Sequence, residues 1–270
     1  MSSDAARRAL EEAVARIHAD AAAAGVDRSW DRASVAACGD LLRVAYAGDP
    51  WAEGCDALFE TIARPSVARW ISAIELSSDD VGANGTCDWE LDALTPRGTT
   101  YPALTTFRVA RGDPYRNNRL VVVTPGRDHG DGGALARLLD AAPKLAVLES
   151  PSAPDDAFLA RKRESLRILE VNAGYDHAGF VLDVAARGAA LPSLSALTWG
   201  DYAETYHHDW RTRTTPREDY VALFRSATFQ RLRWFGWRFP PFSDAEVDGL
   251  LRGERSAQVR IERAEHRYVR

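Results

Sequence analysis

One spacing constrains this chain more than any other: an apolar residue, two free positions, a second apolar residue, one free position, and a third. Leu41-x-x-Val44-x-Tyr46, Ile71-x-x-Ile74-x-Leu76 and Leu104-x-x-Phe107-x-Val109 obey it. So do Leu166-x-x-Leu169-x-Val171, Leu194-x-x-Leu197-x-Trp199 and Leu232-x-x-Phe235-x-Trp237. Leu145-x-x-Leu148 is incomplete because Ser150 takes the third place, and Val259-x-Ile261 keeps only the strand half. The last two apolar positions alternate as on a strand and share one face, while the residues between them point the other way. One such unit cannot bury its apolar face alone, but stacked neighbours share a continuous core.

Between these segments lie helical patterns. Ala52–Ile62, Gly133–Ala141, Ala178–Ala186 and Arg217–Ser226 carry apolar residues three and four apart, the period of a one-sided helix. Prolines at 102, 143 and 192 precede three of the units, and proline turns the residue before it away from helical geometry. At the N-terminus, Ala6, Leu10, Val14 and Ile17 predict a helix over Ser3 to Ala24, with Ser3 as cap and Gly25 as stop. The six complete and partial units from Ile71 to Leu232 start 21 to 41 residues apart. The longer steps exceed the usual repeat of about 20–29 and require inserted loops.

These residues resemble the leucine-rich-repeat proteins, specifically bacterial cytoplasmic members with ribonuclease-inhibitor-like strand–helix units. The likeness is carried by residues 142–206, less fully by 65–110, and the repeat's asparagine is mostly missing, Asn172 excepted. The resemblance implies an α/β solenoid with a curved parallel sheet on its concave side and helices on its convex side. Residues 1–40 would form an N-terminal helical cap, and 41–270 an irregular solenoid with its own C-terminal cap. It implies a binding role and transfers no catalytic residue.

Composition narrows the partner. The net charge is −5, which gives no global basic field for nucleic acid or an anionic membrane. The N-terminal segment lacks the apolar core of a signal peptide, and no stretch reaches the length of a membrane span. Cys38, Cys55 and Cys87 form no C-x-x-C pair. Reduced thiols in a cytoplasm follow as the expectation, with Cys38 and Cys55 read as small core residues in helical patterns.

Three loops are richer in polar and aromatic groups than packing requires: 172–177, with Asn172, Tyr175, Asp176 and His177; 200–210, with Asp201, Tyr202, Glu204, Tyr206, His207, His208, Asp209 and Trp210; and 126–133. The repeat register sets the first two side by side on one rim. Outward strand positions supply Glu75, Arg108, Arg167, Glu170, Thr198, Arg233, Trp234 and Arg238. Tyrosine, tryptophan and arginine dominate interface hot spots, so these residues predict a protein or peptide partner, an enzyme encoded nearby being one kind. An inhibitor, an immunity protein or an accessory subunit presenting a substrate would each use such a surface. The chain is expected to be a monomer, or a weak dimer through its last strand, with no cofactor.

An enzyme reading competes with this one. Asp176 and His177 facing His207 and His208 offer imidazole and carboxylate ligands, but no H-E-x-x-H or facial-triad spacing is present. The glycine-rich loop 126–133 follows Leu120–Val123 as phosphate loops follow strands. It matches no phosphate motif, however, and Asp128 and Asp131 would repel the anion. No G-x-S-x-G motif marks a nucleophile.

Overall fold

The computed structural model describes residues 1–23, 32–48, 50, 53–78, 85–111, 118–123, 130–173, 179–201, 214–252 and 258–263. Its centre is a nine-stranded sheet. The strands are β1 (Arg32–Cys38), β2 (Leu41–Ala47), β3 (Ile71–Ser77), β5 (Thr106–Val109), β7 (Val147–Glu149), β8 (Ile168–Asn172), β9 (Ala196–Gly200), β10 (Trp234–Arg238) and β11 (Gln258–Glu262). They lie side by side in chain order, all pairs parallel except β1–β2. Two further strands, β4 (Gly85–Glu90) and β6 (Asn118–Val123), pair in parallel as a separate small sheet.

The spacing that organises the sequence becomes two ladders of side chains. Val44, Ile74, Phe107, Leu148, Leu169, Leu197 and Phe235 are register partners across seven strands, and each is buried. Two residues on, Tyr46 and Leu76 lead to Val109, and Val171, Trp199 and Trp237 continue the second row. The leading residues Ile71, Leu104, Leu145, Leu166, Leu194 and Leu232 are buried as well. Each burial contributes about 1.5–3 kcal/mol, which is why the strands hold this register despite loops of unequal length.

Ser150 breaks the second row without leaving a buried hydroxyl unpaired. Its Oγ donates to the Ser152 carbonyl at 2.7 Å, and the Ser152 Oγ accepts the Val122 N–H at 3.0 Å. The serine at this position therefore helps to tie the small sheet to the large one.

Helices pack against the ladders. α2 (Glu53–Ala63), the short α3 (Pro65–Ala68), α4 (Ala134–Ala141), α5 (Phe180–Arg187), α6 (Arg217–Arg225), α7 (Ala227–Arg231) and α8 (Asp244–Leu251) fall between strands. Phe180 of α5 stacks on Trp199, with ring centroids 5.6 Å apart, and Tyr220 and Phe224 of α6 press on Trp237 and Phe235. α1 (Ser3–Ala23) buries Ala6, Leu10, Ala13 and Ile17. Val14, expected in that stripe, is only half-buried. The hydroxyl nearest the helix start as a cap is Ser2, whose Oγ accepts the Ala5 N–H, while Ser3 donates to the Asp40 carbonyl.

The N-terminal segment is not wholly helical. Residues 32–38 form β1, an antiparallel hairpin with β2 across Gly39 and Asp40, and Gly39 adopts the left-handed φ of +61° that such a tight turn demands. Cys38 is exposed on this strand rather than buried in a helix, whereas Cys55 in α2 is buried as expected. No helix among the described residues is long and apolar enough to cross a membrane.

Candidate binding face of the sheet

Because both ladders face the helices, the intervening strand residues line the opposite face, where no described helix packs. Three rows run across it. The first is apolar in its middle: Val147, Ile168, Ala196 and Trp234 are successive register partners. Ile168 is 42% exposed, unusual for an isoleucine in a sheet, and Trp234 is half-buried. The second row begins with four charged residues, Glu75, Arg108, Glu149 and Glu170, and continues through Thr198 and Gly236. The third runs Asn172, Gly200, Arg238 and Glu262 at the C-terminal ends of the strands, the edge where open parallel sheets place their ligands.

Two glycines shape this surface. A Cβ on Gly200 would stand 2.0 Å from the Asn172 Oδ1, and one on Gly236 would stand 2.7 Å from the Thr198 Oγ1. Asn172 and Thr198 thus lean over backbone that carries no side chain.

Arg238 reaches back to Glu170 at 2.5 Å and sideways to Glu262 at 3.2 Å. Arg111, just past β5, pairs with the other Glu262 oxygen at 2.8 Å. Five strand-to-strand steps separate β5 from β11. On a flat sheet, steps of about 4.8 Å would hold these positions roughly 24 Å apart, beyond the joint reach of the two side chains. The Ala110 N–H still pairs with the Leu76 carbonyl, so Arg111 leaves from the sheet edge itself. The sheet is therefore curved towards this face, and the Arg111–Glu262 pair closes the curve.

Phe239 completes the cluster. Its φ of +52° is the one positive value among the described non-glycine residues, a conformation that costs about 1–3 kcal/mol and tends to sit at functional sites. The strain sets the Phe239 ring beneath the Arg111 guanidinium, 5.7 Å from its carbon, within range of cation–π attraction. The Phe239 N–H meanwhile donates to the Glu262 carbonyl at 2.7 Å. Among the described residues, the buried Nη1 atoms of Arg111 and Arg238 meet no hydrogen-bond acceptor. Burial, with adjacent Glu170 adding to it, pushes the Glu149 carboxyl above its ordinary range, and Arg108, Arg238 and Arg111 offset this only in part.

Of the residues predicted from sequence, Arg108, Glu170, Asn172, Thr198, Trp234 and Arg238 come together on this face, and Arg167 and Arg233 are exposed just before β8 and β10. Asp201 is turned inward instead. It is buried and accepts the Tyr220 hydroxyl at 2.7 Å and the Thr215 N–H at 3.1 Å. Tyr175, Asp176, His177, Tyr202, Glu204, Tyr206, His207, His208 and Trp210 lie outside the described residues. Among the described residues, no three His, Cys, Asp or Glu side chains are grouped to hold a metal ion. The start of α4 is met by the protein's own anion, for Asp131 accepts the N–H groups of Gly133, Leu135 and Asp155.

Arg111, Glu149, Phe239 and Glu262 were not predicted. The repeat register itself points to Glu149 and Glu262, each beside an inward residue of an incomplete unit; nothing in the spacing points to Arg111. Searches against family models, curated proteins and solved structures find no match to this chain.

Proposed function

We propose that this chain is a non-catalytic binding module, a short solenoid of leucine-rich-repeat type that takes a protein or peptide partner on its open sheet face. The observation that carries this reading is the contrast between the two faces. One is packed under helices, and the other presents an apolar row beside a largely charged row with no described element over it. Parallel strands adjacent in chain order, and curvature towards the open face, fit the repeat reading. An inhibitor or immunity protein, or an accessory subunit offering a substrate to a neighbouring enzyme, would use the surface in this way. A cytoplasmic location belongs to the same proposal.

Site-specific crosslinking tests it. A photoreactive amino acid at Ile168, on the open face, is expected to trap a discrete partner in the native cell. The same residue at Leu182, exposed on α5, is expected to trap none. Crosslinks from Leu182 alone, or from neither position, would overturn the proposal.

A further inference from the structure

We infer that the outer edge of β1 docks a second copy of this chain, the two β1 strands running antiparallel about a two-fold axis at Val35. Among the described strands, β1 ends the nine-stranded sheet. It is seven residues long, holds no proline and pairs with β2 without a bulge. A row of open backbone groups is a template for another strand, and proteins ordinarily blunt such an edge with proline, bulges or charge. Arg32 is the one charged residue in β1, and it stands at the end.

The register says which backbone groups are open. Leu42 turns away from β1, its N–H donating to the Trp70 carbonyl at 2.8 Å. Ala37, directly across from Leu42, therefore turns its own groups away from β2, and alternation gives Val35 and Ala33 the same direction. With the axis at Val35, this residue faces its own copy, and Ala33 faces Ala37 of the other chain. Both are hydrogen-bonded pairs, so the outward N–H and C=O groups of all three residues find partners. No like charges meet, because Arg32 falls opposite Cys38 of the other chain.

The packing favours a second copy over a foreign strand. Val14 of α1, with Ala33 and Val35 of β1, packs against the core and is still only half-buried. A foreign strand would satisfy the backbone alone. A copy brings its own α1, which packs beside β1, to the same side of the joined sheet, so one unfinished apolar edge closes on another. The last strand suits such pairing less well. An axis at the centre of β11 would set Arg260 opposite its own copy, a destabilising like-charge pair, and Glu262 is already held by Arg111 and Arg238. Nothing in this inference depends on what the open face binds.

Cysteine pairing in the full chain reads the register directly. Two Cys38→Ser chains are made, one carrying Ser34→Cys and the other Ala36→Cys. Across the axis, positions 34 and 36 form a non-hydrogen-bonded pair with Cα atoms about 4.5 Å apart, within the span of a disulfide. Like positions lie about 8 Å apart, outside that span. Mild oxidation of the mixture is expected to give the 34–36 crosslink roughly tenfold faster than either chain alone crosslinks to itself. In sedimentation equilibrium, wild type is expected to show twice the mass of one chain, falling towards one on dilution. Val35→Pro removes an outward N–H and spares the bonds to β2, so it is expected to remain folded and monomeric. Should it unfold, Ser34→Glu with Ala36→Glu takes its place, setting carboxylates opposite each other and weakening association roughly tenfold. Equal crosslinking in the mixture and in the single chains overturns the inference. So does a wild type that stays monomeric at its highest soluble concentration, or a dimer undiminished in the folded variant.

Discussion

The Tyr220 hydroxyl donates to the Asp201 carboxylate at 2.7 Å while it accepts the Trp199 indole N–H at 2.9 Å. All three side chains are buried. Burial, and then the Asp201 charge, hold the Tyr220 hydroxyl protonated well above the usual tyrosine range, so this donor persists at any pH the fold survives. Tyr220→Phe leaves the indole donor bare and strips one partner from a buried carboxylate. A loss of about 1–3 kcal/mol is expected, measured by chemical denaturation, with the slope of the transition unchanged.

Two glycines give opposite predictions. A Cβ on Gly188 would stand 1.9 Å from the Thr228 Oγ1 and 2.8 Å from its Cβ, whereas nothing lies within 4 Å of one on Gly249 in α8. Gly188→Ala is expected to cost about 1–3 kcal/mol by overpacking. Gly249→Ala is expected to gain about 0.5–1 kcal/mol from helix propensity. Thermal melts of the two variants beside wild type check both signs.

Glu149 provides a pH test. Its folded-state value is raised above the ordinary one near 4.5, so between those two values the folded chain holds a proton that the unfolded chain has released. Stability therefore falls as pH rises through that window. Glu149→Gln abolishes the titration, and its stability is expected to decline less than that of wild type as pH rises from the ordinary glutamate range towards neutrality. Parallel declines of variant and wild type in denaturant titrations would refute the assignment.

The Arg111–Glu262 pair is partly exposed on both sides, so its direct coupling is expected to be modest. A double-mutant cycle with Arg111→Gln and Glu262→Gln should give about 0.5–1 kcal/mol, shrinking in high salt.

The sequence pattern made the inward half of the fold readable and left the outward half largely silent. Burial enforces chemistry, so Leu148, Leu169 and Leu197 declare their positions and fix the register of every strand they occupy. β1 was missed because Ala33, Ser34, Ala36 and Ala37 carry no contrast between its two faces. The small sheet was missed because the pairing of β4 with β6 spans the β5 unit. On the candidate face the register gave Glu170, Thr198 and Arg238. It could not give Arg111, whose place depends on how far the sheet bends, a property summed over six strands rather than written at any one of them.

A row of strands joined only to their neighbours can open from its free end one unit at a time. Here the end is clasped: Arg111 and Glu262 lie 151 residues apart along the chain, and their contact turns a ribbon into a loop. Peeling β11 away must first undo a fastening made at β5. The last strand, which among the described strands has a neighbour on one side only, is thereby made to share its fate with the middle of the molecule.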